Sequence, residues 1–252
     1  MFNREEYILT DSPIKNDLLS LFKKDQKLII LDIGGCEGEE SIRYSRIFPN
    51  SLIYCFEPLP KNQKRIVNNV EKYNIKNVRL IECALSDKEG QQLFYVSSGQ
   101  PSEQSSLTDW DFGNKSSSLL PPDKHIDSAP WIKFDESITI SVRKLSDFLT
   151  QENIFNVDFI HMDVQGAELK VLTGAEVFIK KIKAIWLEVS DITLYQNQPT
   201  RIEMEIFMKK NGFDLIKTFM DGGIGEQMYL NKRYFRTISI FSLKKIHLRI
   251  KK

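Results

Sequence analysis

Apolar residues along this chain arrive in two rhythms. Short, nearly continuous runs occur at Leu28-Ile-Ile-Leu-Asp-Ile33, Ser51-Leu-Ile-Tyr-Cys-Phe56, Val78-Arg-Leu-Ile-Glu-Cys83, Val157-Asp-Phe-Ile-His-Met162 and Ala184-Ile-Trp-Leu-Glu188. Runs of this kind predict strands buried on both faces of a parallel sheet. Between them apolar positions recur at helical spacing: Ile66, Val70 and Tyr73 within residues 61–73, a stretch from about Ala167 to Lys181, and residues 200–211. Asn211-Gly212 marks a helix stop, because glycine accepts the left-handed conformation just past a helix end. Residues 90–96 read as a further strand after a turn at Asp87–Gly90. Phe213–Phe219 and Gln227–Tyr234 flank Asp221-Gly-Gly-Ile-Gly225, the pattern of an antiparallel hairpin at a sheet edge. The alternation predicts an α/β fold, a mostly parallel sheet with helices on both faces and a helical lead-in over residues 1–27.

Residues 97–136 break the rhythm. They are rich in Ser, Gly, Pro and Asp yet carry Trp110, Phe112, Trp131 and Phe134. Four aromatics exceed what a solvated linker normally holds, so the segment reads as an inserted lid over a site, with a mobile excursion as the alternative. The basic tail, residues 242–252, reads as a solvated end, with weak contact to an anionic membrane surface as a second option. At 252 residues, 41% hydrophobic and 27% charged, the chain suits one domain with an insertion. A net charge of +1 speaks against a nucleic-acid partner. No apolar run approaches the roughly 18 residues that span a bilayer, and the first residues lack the basic-then-apolar order of a signal peptide. Cys36, Cys55 and Cys83 form no Cys-x-x-Cys pair. Free thiols in a reducing compartment, the cytoplasm by default, are the expectation.

The chemistry collects at strand ends. The first run closes on Asp32 and passes through Gly34, Gly35 and Gly38 into a helical pattern. Glycine there lets the backbone approach a ligand closely. Nineteen residues after Gly38 the next run ends at Glu57, where a carboxylate can take both hydroxyls of a ribose. An adenosine-type cofactor is expected. The glycine spacing is not G-x-G-x-x-G: Cys36 occupies the middle position, and Glu37 and Glu39 stand close by. Those acids oppose a diphosphate and tolerate a sulfonium cation, which favours S-adenosylmethionine over NAD. Asp163 closes another buried strand before the turn at Gly166, and ligands of open α/β sheets bind outside such carboxyl ends. By strand periodicity His161 shares its facing, and Glu188 and Asp191 end the neighbouring run. Structural roles stay open beside these: a ligand-free turn for the glycines, a strand-end acid before Pro58 for Glu57, and a buried imidazole for His161.

Together, Asp32-Ile-Gly34-Gly-Cys-Glu-Gly38, Phe56-Glu57-Pro58, Asn69, Ala84-Leu-Ser-Asp87, Ser105-Ser-Leu107, Lys144-Leu145 and Asp163-Val-Gln-Gly-Ala-Glu168 resemble the FkbM-type branch of the S-adenosylmethionine-dependent methyltransferases. The resemblance runs from about Leu28 to about Asp191. It implies a Rossmann-like class I methyltransferase fold with a seven-stranded sheet. It also implies cofactor contacts from Asp32, Gly34, Gly35, Gly38, Glu57, Ala84, Leu85 and Asp163. Cys36 stands where the family usually shows Asn, and His161 where it usually shows Lys. The activity implied is methyl transfer, commonly to a hydroxyl of a sugar or a similar acceptor. His161 or Asp163 would serve as base and Glu188 would orient the acceptor. Ser106, Trp110 and Tyr195 are candidates for acceptor binding, with ordinary packing as the alternative for the aromatics. Asp163, Glu188 and Asp191 are hard oxygen ligands of the type that suits Mg²⁺ or Mn²⁺, so a divalent metal is an open option. Two competing functions are methylation of nucleic acid and a non-catalytic binding module. The first lacks its Asn/Asp-Pro-Pro-aromatic motif, whose place Asp163-Val-Gln-Gly166 occupies. Oligomeric state, a homodimer included, is open.

Overall fold

The structure is a computed structural model that describes residues 3–101, 110, 112–125 and 129–235. Its first half contains α1 (Arg4–Leu9), α2 (Lys15–Leu21), β1 (Ile29–Ile33), α3 (Glu39–Ile47), β2 (Leu52–Phe56), α4 (Pro60–Lys72), β3 (Val78–Ile81), β4 (Ala84–Ser86) and β5 (Gly90–Ser98). A 3₁₀ turn at Gly113–Ser116 leads to β6 (Lys133–Lys144), α5 (Leu145–Gln151), β7 (Val157–Met162) and α6 (Glu168–Gly174). A second 3₁₀ segment, Glu176–Lys181, precedes β8 (Ile182–Ser190), α7 (Arg201–Lys210), β9 (Phe213–Asp221) and β10 (Ile224–Asn231).

Seven strands form one sheet in the order β3-β2-β1-β7-β8-β10-β9. Neighbours are parallel from β3 to β8, and β10 runs antiparallel to both β8 and β9. Period-two alternation splits the side chains between two cores. Leu31, Ile33, Ile160 and Met162 pack on one face with α5, α6 and α7 through Phe148, Leu172 and Met208. Ile30 and Phe159 pack on the other with α2 and α3 through Leu18, Tyr44 and Phe48. Apolar side chains on both faces explain why these strands read as unbroken runs. Local chemistry sets the helix starts. Thr200 and Glu203 form a reciprocal capping box at α7, and Pro60 occupies the first turn of α4, where its missing N–H costs nothing.

The expected fold is present, with differences of detail. Val78–Cys83 divides in two: β3 stops at Ile81, and the chain turns through Cys83 so that Ala84–Ser86 joins a second sheet, ordered β4-β6-β5. The strand expected over 90–96 belongs to this small sheet too. Its partner β6 starts at Lys133, inside the stretch read as irregular. The helix expected from Ala167 to Lys181 stops at Gly174 and finishes as 3₁₀. The edge hairpin turns tightly at Gly222-Gly223, so its second strand begins at Ile224 instead of Gln227. The small sheet buries Phe94, Ile140 and Val142 against Leu59, Leu119 and Tyr195, roofing the carboxyl ends of β1, β2 and β7. No helix among the described residues is long and apolar enough to cross a membrane.

Candidate active site

The turn after β1 is built for close approach. Gly34 has φ +88°, and a Cβ there would lie 1.9 Å from the backbone oxygen of Asp163. Its amide and that of Gly35 both donate to Phe56 O, at 3.1 and 2.9 Å. These bonds tie the ends of β1 and β2, and Asp163 N, donating to Ile33 O at 3.0 Å, brings the end of β7 into the same corner. Cys36 follows with φ +47°, a left-handed backbone that costs a non-glycine residue on the order of 1 kcal/mol. The conformation aims the Cys36 amide at Glu57 Oε2, 2.9 Å away, while Leu59 N donates to Oε1 at 2.9 Å. Both oxygens of this buried carboxylate are thereby fixed at the mouth of a cleft. Burial pushes Glu57 up to about 8, against the pull of the two amides and Asn62. Gly34, Glu57, Ala84, Leu85 and Asp163 all line this first cleft. Gly38 ends the turn with φ +84° and lines neither this cleft nor the next, so its part is to shape the loop.

A second cleft opens on the other side of the glycine turn, lined by Asp32, Gly35, His161, Tyr44, Trp186 and Glu226 among others. The two share Gly34, Cys36, Lys115 and Asp163. Asp32 and His161 are direct register partners on β1 and β7, which brings their side chains together. Asp32 Oδ1 lies 3.0 Å from His161 Nδ1, and Ser41 Oγ donates to Oδ2 at 2.5 Å. Burial pulls the imidazole down, but the hydrogen bond and charge of Asp32 outweigh it and hold His161 at about 9. Trp186 Nε1 donates to Glu226 Oε1 at 2.9 Å on the facing strands.

Beyond β7 three carboxylates converge. Oxygens of Asp163, Glu168 and Glu188 lie within 4.8 Å of one another. Glu168, in the first turn of α6, accepts from Val164 N at 3.0 Å and Gly166 N at 3.3 Å. Gln165, itself left-handed at φ +54°, donates Nε2 to Asp163 Oδ1 at 2.7 Å and to Glu188 Oε2 at 3.3 Å. Burial and then repulsion among the acids raise Glu188 well above the carboxylate range and Glu168 to about 7. Asp163 is exposed and belongs to both cleft walls; Glu188 is half-buried, behind Gln165, and lines neither.

Several expected residues stand elsewhere. Asp191 is not in the cluster: it lies beyond β8, exposed, and pairs with Arg201 at 2.9 Å, so Glu168 takes its place beside Asp163 and Glu188. Tyr195 is 1% exposed, with its ring packed on His125 and Phe134, so it offers no face for stacking a sugar. Its hydroxyl reaches Ser116 O at 2.7 Å and Gln165 Oε1 at 3.0 Å, which makes it a strut between loops. Trp110 is likewise buried, donating to Glu39 Oε1 at 2.8 Å and packing on Tyr7 and Phe112. Ser106 lies outside the described residues. Glu39, expected beside the glycine turn, lines the second cleft, whereas Lys115, Gln165, Glu168 and Glu226 were not expected at the site. Only Gln165 and Glu168 carried a signal, as members of the 163–168 motif.

The arrangement suits a methyl-donor nucleoside. A slot under the small sheet reaches the Glu57 carboxylate, the backbone at Gly34 leaves no room for a Cβ, and acids line both clefts. Comparison with known proteins agrees. Residues 32–215 match the methyltransferase FkbM domain. A relative in Sinorhizobium fredii, 2-O-methyltransferase NoeI, is 31% identical over 221 residues, 87% of this chain and 86% of its own. Methyltransferase 1 of Beauveria bassiana is 30% identical over 148 residues, 58% of each chain. The crystal structure of methyltransferase FkbM from Methylobacillus flagellatus shares the fold at TM-score 0.53 and 14% identity, over 90% of this chain and 50% of that one. The match across residues 32–215 and the extent of the bacterial relative leave one assignment: the chain belongs to the FkbM methyltransferase family and is an S-adenosylmethionine-dependent methyltransferase.

Proposed function

We propose that the acceptor is a hydroxyl of a sugar, nucleotide sugar or glycan, and that Asp163 receives its proton. The observation that carries this reading is the position of Asp163. It stands exposed where both clefts meet, with Gln165 fixing one of its oxygens at 2.7 Å. The bound donor supplies a methyl group on a positively charged sulfur. An alcohol gives up its proton reluctantly, and a placed base typically contributes about 10²–10⁴ in rate. His161 is the weaker candidate. At about 9 the ring is protonated near neutral pH and has no lone pair to offer. Its charge instead balances Asp32 and faces the acids of the second cleft. Glu188 acts at one remove, holding Gln165. The roofing sheet and the turn at Gly113–Ser116 keep water from the first cleft, where alignment matters most.

The name of the bacterial relative, a 2-O-methyltransferase, supports oxygen as the atom methylated. The near-neutral charge gives no support to a nucleic-acid acceptor. Three free cysteines suit a reducing compartment, as in the cytoplasm. A metal is not part of the mechanism. Asp163, Glu168 and Glu188 are suitable oxygen ligands, but an amide N–H of Gln165 already points at two of them. The test is release of S-adenosylhomocysteine on incubation with monosaccharides, nucleotide sugars, oligosaccharides, catechols and RNA, with the product located by NMR. O-methyl sugar is the expected product. Transfer to RNA or to nitrogen alone would overturn the reading.

A further inference from the structure

S-adenosylmethionine carries three charges outside its nucleoside: the sulfonium, an ammonium and a carboxylate. The two clefts suit only the first two. Among the described residues six carboxylates line them, Asp32, Glu39, Glu40, Glu57, Asp163 and Glu226, against two basic side chains, Lys115 and His161. A ligand carboxylate set among like charges is repelled unless a cation meets it. His161 is committed to Asp32 through Nδ1, and its ring stands edge-on to Tyr44. Among the described residues Lys115 is the one basic residue common to both linings.

The turn that carries Lys115 is held on three sides. Asn114 Nδ2 donates to Asn62 Oδ1 at 2.7 Å, Ser116 N donates to Ser97 Oγ at 3.1 Å, and Tyr195 reaches Ser116 O at 2.7 Å. The ammonium sits 4.3 Å above the Trp110 ring and donates to Glu39 Oε1 at 3.1 Å. An ammonium has three donors. Within the described residues one hydrogen bond goes to Glu39, and the lysine lines both clefts.

We propose that Lys115 binds the carboxylate of the donor's amino-acid tail, so that the Gly113–Ser116 turn is a working part of the cofactor site. The inference rests on the S-adenosylmethionine assignment and assigns it a further contact. Glu39 then has a second role. Its carboxylate keeps the Trp110 bond and holds the ammonium in place until the ligand shares it.

The test compares two ligands, S-adenosylhomocysteine and its decarboxylated counterpart, which keeps the adenosine, the thioether and the amine. Calorimetric titration of wild type should show the carboxylate-bearing ligand bound about tenfold tighter or better, the scale of one charge-assisted contact. Lys115→Met should erase that preference, weakening the first ligand about tenfold while moving the second less than about threefold. Lys115→Arg should keep most of it. Equal losses for both ligands in Lys115→Met would make the lysine a structural prop and overturn the proposal. So would a wild type without preference. Failure of the donor assignment looks different: wild type would bind neither ligand.

Discussion

Gly35 offers a sharp test of how the glycine turn is held. Its backbone is not left-handed, so alanine is conformationally acceptable there; the obstacle is contact. An added Cβ would lie 2.2 Å from Cys55 Sγ, and reaching an ordinary 3.4 Å separation requires the two to part by about 1.2 Å. Cys55 is fully buried on β2 and cannot give. The turn must move instead, and overpacking of this kind costs about 1–3 kcal/mol. The next residue along donates the 2.9 Å amide bond to Glu57, which does not survive a shift of that size. Losing a hydrogen bond to a charged group costs about 1.5–3 kcal/mol, or roughly tenfold to a hundredfold in cofactor affinity. The remaining neighbours of the new methyl, Phe56 O and Asp32 Oδ2, lie at 3.6 and 3.7 Å, so removing the sulfur relieves the clash. Gly35→Ala should therefore impair stability and binding, Cys55→Ala should do little, and the double variant should recover, with a coupling of about 1–3 kcal/mol. Denaturant midpoints and S-adenosylhomocysteine titrations on the four proteins measure it. Additive losses in the double variant would refute the contact argument.

Three more expectations concern charge. If ribose hydroxyls donate to an ionised Glu57, cofactor affinity should climb from pH 6 to about 8 and level off above, and Glu57→Gln should weaken binding and flatten the profile. Titrations at four pH values decide this; a flat wild-type curve speaks against the contact. His161 is raised in the folded state, so its pairing with Asp32 stabilises fully below the unfolded value of 6.5 and is lost as pH rises through about 9. The melting-temperature gap between wild type and Asp32→Asn should shrink across that window, and a gap that widens would count against the ion pair. Finally, EDTA should leave methyl transfer unchanged while Asp163→Asn cuts it about a hundredfold or more; loss on chelation with recovery on adding Mg²⁺ or Mn²⁺ would reverse the assignment.

The strands of the main sheet were readable because burial on both faces leaves an unbroken apolar signature, as in Leu28–Ile33 and Val157–Met162. Of the second sheet only β5 was, over residues 90–96. β4 is three residues long, and β6 emerges from a polar stretch, although Ile138, Ile140 and Val142 alternate with Ser137, Thr139 and Ser141 in period two. At the site, Asp32, Glu57 and Asp163 could be found because topology puts ligands at strand ends. Nearness in sequence misled at Asp191, which the start of α7 draws away through Arg201. Glu168 folds back onto its own loop amides, a contact that spacing alone does not announce. Lys115 and Glu226 reach the clefts through tertiary placement, so no local pattern marked them.

One phenol bears on any attempt to retarget this enzyme. Tyr195 bridges the backbone at Ser116 and the amide at Gln165, and that amide in turn steadies Asp163. Exchanging the segment after β8 for that of a relative changes more than the local surface; it unties the group that positions the proposed base, Asp163. Chimeras that carry positions 195 and 165 together as a matched pair should keep turnover, whereas grafts that split them should bind the donor and stall.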